Sequence, residues 1–386
     1  MFQTNLTCYL WDLVDEGIED VLDRLKGEAG IRGITVPAVC RPIQQFRPHA
    51  GVLPRVFRSP GGAQFQPAAA LYAGTRLRPV TAAWLRARNP LAQVAQACAK
   101  RGMNLRVSID ACYQPALAER HPGCAPRNAF GEGISGWLCP VNPEVRDHLR
   151  ALAEDLTQNY AVAALEVDWL GFPDTGWLWE CGTVPDWLAS LCLCDSCRQL
   201  ATRQGVDAAA AAKVVQELLE QVLANGVSGA TAGTVEALLA EEPALAAYAD
   251  WGVSQVTSLA EGLRKSCRCR LVIARRWPDR LDAGTDYPAI ARHCDALLAE
   301  ASPGNAEAIE TTVKQLAREA GDVSRVELRI AVLMGDCPDS ASLVRLVSQA
   351  ARMGVAGAEL RNYGLLPLAR LAWIKQAARF AQREST

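Results

Sequence analysis

Six acidic residues close, follow or lie within short apolar runs, the places where a strand would hand over to a loop. Glu166 and Asp168 end Ala164–Asp168, Asp110 ends Leu105–Asp110, Glu300 follows Ala296–Ala299, Asp12 follows Leu6–Leu10, and Glu359 lies in Gly357–Leu360. Two residues apart on a strand, Glu166 and Asp168 point to one side, where an apolar helix-facing layer would not suit them. Two carboxylates, one protonated to assist a leaving group and one ionised as nucleophile or base, can hydrolyse a glycosidic bond. Asp168 and Glu300 are the candidate pair, with Glu166 as the third catalytic candidate. Positions after strands four and six share one rim and come within the ~5–9.5 Å that glycosidase pairs use. A neighbouring carboxylate is expected to raise the pKa of one member and keep it protonated near neutrality. The competing reading is that each acid merely pairs with a lumen arginine, such as Arg106 or Arg329.

Trp11, Trp137, Trp169, Trp177, Trp179 and Trp277 fall within or beside the same post-strand segments. Flat rings with a polar edge suit the C–H faces of sugars, while carboxylates and guanidinium groups satisfy hydroxyls. The candidate substrate-binding set is Trp11, Asp12, Asp110, Trp169, Trp177, Arg329, Glu359 and Tyr363, with Trp169 and Trp177 as ring platforms. Ordinary packing of insertions onto a barrel is the alternative for any one tryptophan.

Cys192-Leu193-Cys194-Asp195-Ser196-Cys197 places three thiols within six residues. Three thiolates this close can converge on one tetrahedral zinc, and a fourth sulfur would close a structural site with no open position. Cys181 is the first candidate for that place and Cys139 competes with it; a turn holding free thiols is the alternative. Cys267 and Cys269, entering strand five, look like core or surface thiols.

These residues need a frame of alternating strands and helices. Apolar runs at 6–10, 34–36, 105–110, 164–168, 271–274, 296–299, 328–332 and 357–360 alternate with helical patterns. Among the helix signals, Pro90 to Gly102 ends on glycine, and Asn142-Pro143-Glu144 supplies a cap, a proline at the first position and an acid in the first turn. Eight repeats predict an α/β fold, a closed (β/α)₈ TIM barrel spanning residues 1–386 as one domain. Insertions are expected at 41–80 and 170–265, where no strand pattern is visible. An open doubly wound sheet is the alternative, but no Gly-x-Gly-x-x-Gly follows the first strand. No organic cofactor is expected.

Forty Lys and Arg oppose 42 Asp and Glu, leaving a net charge of −2 and no basic footprint for nucleic acid or anionic lipid. The arginine excess, 34 against 6 lysines, matches phosphate or carboxylate recognition but equally a GC-rich genome. No apolar run reaches a membrane span, and Met1-Phe2-Gln3-Thr4-Asn5 lacks the pattern of a signal peptide. A soluble, cytoplasmic protein with mostly buried thiols is expected; a homo-oligomer is left open.

The chain resembles an uncharacterised bacterial family of glycosyl-hydrolase-like (β/α)₈ proteins. The resemblance rests on His121-Pro122, Arg127-Asn128-Ala129-Phe130-Gly131, the run Leu138 to Arg146, the acidic end of strand four, the cysteine knuckle and Asn362 to Pro367. The Cys-x-Cys-x-x-Cys spacing is also similar to the zinc knuckle of family 42 β-galactosidases, which implies a structural metal in a sugar-active barrel. Members of the first family carry a histidine-rich stretch after strand four, whereas Phe172 to Glu180 has no histidine, which counts against a histidine-dependent step. The expected function is glycoside hydrolysis by two carboxylates. The alternatives are a saccharide-binding barrel without catalysis and a metal-dependent sugar isomerase or epimerase.

Overall fold

The computed structural model describes the chain apart from residues 1, 50, 52–53, 174–182, 277–281, 302–305, 334–336 and 385–386. Trp177, Trp179, Cys181 and Trp277 lie outside the described residues. Eight parallel strands close into a barrel: β1 (Gln3–Thr7), β2 (Gly33–Cys40), β3 (Asn104–Asp110), β4 (Ala164–Asp168), β5 (Arg270–Arg275), β6 (Ala296–Ala301), β7 (Val326–Ala331) and β8 (Gly357–Arg361). Each pairs with the next, and β8 returns to β1, so no parallel edge is left open. The fold is therefore the (β/α)₈ barrel expected from the alternating pattern.

The period of two along each strand sorts the two faces. Leu6, Ile34, Val107, Leu165, Ile273, Leu297, Leu328 and Leu360 are buried against the outer helices. The other parity fills the lumen, and there the central residues are polar: Thr7, Thr35, Arg106, Glu166, Glu327, Arg329 and Glu359, all buried. Barrel lumens are usually packed with branched apolar side chains. Here a small apolar group, Ala164, Val272, Ala296 and Leu298, occupies one side only.

The helix signals are realised locally. Asn89 and Asn142 each accept a backbone N–H of the first turn of Pro90–Arg101 and Pro143–Asn159, and Gly102 ends the former in a left-handed conformation, φ 62°. The first strand corrects the sequence reading: it is Gln3–Thr7, and Leu10 already begins the helix Leu10–Glu16. The apolar run from Leu6 to Leu10 spans that junction, so composition conceals the boundary.

The segment 41–80 also differs from expectation. Ile43–Phe46 and Val56–Ser59 form an antiparallel hairpin, and Gly62–Ala63 pairs antiparallel with the end of β2. The strands are short and turn Phe46 to solvent at 61% exposure, so no buried-face alternation marks them. Among the described residues of 170–265 no strand occurs. Five helices from Thr183 to Ser266 bury a separate cluster around Trp187, Leu188, Val215, Leu219 and Tyr248. No described helix is long and apolar enough to cross a membrane.

Candidate active site

Arg329, on β7, organises the polar lumen. Its Nη1 lies 3.1 Å from Asp168 Oδ2, its Nε 3.2 Å from Glu359 Oε1, and its Nη2 donates to Glu166. One layer deeper, Arg106 reaches Glu327 at 2.6 Å, Glu166 at 3.3 Å and Glu359 at 3.8 Å. Thr7 and Thr35 donate their hydroxyls to the two oxygens of Glu359 at 2.9 and 3.1 Å. Buried charges persist only when paired and hydrogen-bonded, and each arginine here meets three buried carboxylates. Glu166 and Glu359 thus belong to an ion-pair lattice. Desolvation and the neighbouring Glu359 push Glu166 up; Glu359 is itself buried, but Arg329, the hydrogen bond with Glu166, and Arg106 hold it low.

The C-terminal mouth carries three further carboxylates. Asp168 ends β4, and Glu300 on β6 is 64% exposed. Their oxygens lie 3.1 and 4.0 Å from the same Nη1 of Arg329, and so at most about 7.1 Å apart. Burial would raise Asp168, but Arg329, Arg276 and Arg361 together outweigh it and hold the carboxyl below its ordinary range. Asp110 is the register partner of Asp168 on β3 and accepts the Arg41 backbone N–H at 2.7 Å. Burial, opposed by Arg41 but reinforced by Asp168, pushes Asp110 up to about 6. The mouth therefore holds one carboxyl kept ionised and one that retains its proton more readily.

Arg41, Arg276 and Arg361 were not among the sequence candidates, although each ends or directly follows a barrel strand. Arg361 Nη1 lies 3.3 Å from Glu300, and Arg276 Nη1 3.4 Å from Asp168 Oδ1. Reading strand ends for bases as well as acids would have found them. Arg276, Ala299, Glu300, Gln315 and Arg329 line a mouth-side cavity of about 180 Å³. A larger one, about 590 Å³, opens at the opposite end beside Asn5, Asn104 and Arg270. The mouth is the better candidate because Asp110, Asp168 and Glu300 converge there.

The aromatic expectations divide. Trp169 adjoins the mouth, but its ring is 2% exposed, with the Arg276 guanidinium 3.5 Å from its centre and Tyr113 and Trp137 packed beside it. Trp11 is 1% exposed, stacked between Tyr9 and Phe57, so it fastens the hairpin to the barrel instead of facing a ligand. Asp12 is buried in the helix Leu10–Glu16 and accepts from Gln45 at 3.0 and 3.1 Å, a second hairpin anchor; burial pushes it up to about 7 against Gln45 and Arg47. Tyr363 is fully buried and donates to Glu16 at 2.8 Å while accepting from Arg24 at 2.6 Å. These three side chains are committed to packing because the hairpin and the final loop cover them.

The knuckle cysteines gather around a fourth sulfur. Cys139 Sγ lies 3.5 Å from Cys197, 3.6 Å from Cys194 and 3.8 Å from Cys192, and Cys192 lies 3.6 Å from Cys197. All four are buried and within 4.8 Å of one another. Cys139, which precedes the Asn142 cap, brings a fourth sulfur to the three of the knuckle, while Cys181, the first candidate for that place, lies outside the described residues. Tyr248 supports the knuckle by donating to the Cys192 carbonyl at 2.6 Å.

No family model matches the chain, and no curated protein matches it in sequence. Solved structures match in fold. The PgaB glycoside hydrolase domain from Bordetella bronchiseptica aligns at 13% identity and a TM-score of 0.63, covering 99% of this chain and 98% of that one. The catalytic domain of β-amylase from Paenibacillus polymyxa aligns at 12% and 0.59, covering 99% and 98%. A β-galactosidase from the psychrophilic Marinomonas ef1 aligns at 12% and 0.59; the alignment covers 99% of this chain but only 59% of the β-galactosidase. At such identities the likeness is one of architecture, and what this chain shares with these proteins is the closed (β/α)₈ barrel.

Proposed function

We propose that the chain is a glycoside hydrolase acting on a carbohydrate through Asp168 and Glu300. The observation that carries the reading is the shared contact of both carboxylates with Arg329 Nη1, at 3.1 and 4.0 Å, on the face where barrel enzymes hold their sites. A separation of at most about 7.1 Å lies below the ~9.5 Å upper limit of glycosidase pairs. Three arginines keep Asp168 ionised, which suits a nucleophile or base. Glu300 is solvent-accessible and is assigned the proton-donating role. Glu166 acts by fixing Arg329; Trp169, buried beneath Arg276, backs the mouth, and Trp177 is the ring platform. The glycoside hydrolase and sugar-enzyme names of the matching structures agree with this reading.

A second assignment within the same reading rests on Asp110, whose raised pKa and position beside Asp168 make it a rival proton donor. A screen with aryl glycosides and oligosaccharides, repeated on Asp168→Asn, Glu300→Gln and Asp110→Asn, separates the roles. Loss of turnover in the first two supports the proposed pair; loss in the first and third moves the acid to Asp110. Saccharide binding without turnover in the wild type favours a binding-only barrel.

We also infer a structural zinc in the Cys139, Cys192, Cys194 and Cys197 tetrad. Zn–S bonds of ~2.3 Å in a tetrahedron place sulfurs about 3.8 Å apart, close to the spacings of 3.5 to 3.8 Å found here. Four sulfurs leave no open position, so the ion would tie the segment before Pro143–Asn159 to the helix Asp195–Arg203 and take no part in catalysis.

A further inference from the structure

Two thiols differ from the other described cysteines outside the tetrad. Cys267 caps the C-terminal end of the helix Pro243–Ser266 and Cys269 immediately precedes β5; their sulfurs lie 3.8 Å apart. Arg264 clamps the turn between them, its Nη2 donating to the carbonyls of Cys267 at 2.7 Å and Cys269 at 2.9 Å while its Nη1 pairs with Asp295 at 2.6 Å. Cys269 is partly exposed. Burial pushes Cys8, Cys40, Cys98, Cys112, Cys124 and Cys294 above the ordinary thiol range. At Cys267 a hydrogen bond from Cys269 outweighs burial, with Arg264 adding to it, and the thiol falls to about 7. Thiolate character and access govern exchange. Cys267 is itself buried and Cys269, the accessible member, is pushed up by Cys267, so what sets the pair apart is adjacency: a lowered thiol in direct contact with a partly exposed one.

We propose that Cys267 and Cys269 form a reversible dithiol–disulfide site that exchanges with small disulfides of the glutathione type. The Cys267 thiolate attacks one sulfur of the small disulfide, which forms a mixed disulfide and expels one thiolate. Cys269 then releases its proton to solvent and attacks Cys267 Sγ, breaking the mixed disulfide and expelling the second thiolate. Two protein thiols are oxidised and one small disulfide is reduced to two thiols. The sulfurs must approach from 3.8 Å to the ~2.05 Å bond, within a turn whose two carbonyls Arg264 holds. The site lies at the entry of β5, at the opposite end of the barrel from the mouth, so it stands independently of the glycosidase reading.

The test equilibrates the full chain with mixtures of reduced glutathione and glutathione disulfide, blocks free thiols, and weighs the peptide 250–278, which contains no other cysteine. The expected product is a peptide lighter by two hydrogens that takes up no blocking label and is restored by dithiothreitol. Cys269→Ser should instead stop at a glutathione adduct on Cys267. A wild-type peptide that stays doubly labelled in pure glutathione disulfide overturns the proposal. So does a stable adduct on the wild type that never closes. A melting curve of Cys269→Ser matching the wild type excludes misfolding as the source of its adduct.

Discussion

Asp110 and Asp168 are register partners at the ends of adjacent parallel strands, yet their surroundings drive their protons in opposite directions. Arg329, Arg276 and Arg361 face Asp168, whereas Asp110 has burial and the charge of Asp168 against it, with Arg41 the first opposing group. One proton is thus more readily held on β3 than on β4.

That asymmetry has a consequence for stability. With its folded pKa raised to about 6, Asp110 binds more protons in the folded than in the unfolded chain between about pH 4 and 6. Its contribution is fully present below the unfolded value and is lost as pH rises through the folded one, on the order of 3 kcal/mol by the pKa difference. Asp110→Asn is expected to melt above the wild type at pH 7.5, with the advantage gone near pH 4. Equal melting temperatures at pH 7.5 would show that the desolvation is already compensated.

Gly364 and Asp12 are expected to be coupled. A Cβ at Gly364 would lie 1.8 Å from Asp12 Oδ2, with no space to yield because Asp12 is fully buried. Gly364→Ala should cost on the order of 3 kcal/mol by overpacking, and Asp12→Ala in the same chain should recover part of it. Denaturant melts of the two single variants and the double variant read the coupling; strictly additive losses would place the clash elsewhere.

Arg329→Met should destabilise the barrel by about 3–5 kcal/mol, since it strips the counter-charge from Glu166, Asp168 and Glu359 in a buried layer. Chemical denaturation checks this. A loss below about 1 kcal/mol would mean that water or Arg106 replaces it.

Purified protein is expected to hold about one equivalent of zinc, lost in Cys139→Ser and kept in Cys181→Ser. Elemental analysis decides it, with thermal melts before and after chelation. Zinc retained in Cys139→Ser and lost in Cys181→Ser would reverse the assignment of the fourth sulfur.

Much of this architecture was legible because it is periodic. The alternation in Ala164–Asp168 separates Leu165 and Val167, packed on helices, from Glu166 and Asp168 in the lumen, and Asn142-Pro143 marks a helix start by cap chemistry. What was not legible is what depends on tertiary partners. Whether Cys139 or Cys181 completes the tetrad is decided by how the segment after β3 folds back onto 192–197, which spacing does not encode. Trp11 and Tyr363 look like substrate-binding residues from their strand-end positions, but the hairpin and Glu16 claim them. The hairpin carries no alternating signature because its apolar Phe46 and Val56 face water while polar Gln45 and Ser59 are buried.

The central claim, hydrolysis by Asp168 and Glu300, is tested most directly by kcat/KM of wild type, Asp168→Asn and Glu300→Gln on whichever aryl glycoside the wild type cleaves, alongside saccharide binding by calorimetry. Both near-isosteric variants are expected to lose at least about a hundredfold in kcat, the lower end of what a positioned acid or base supplies, while binding the sugar as the wild type does. Wild-type turnover in both variants would contradict the assignment.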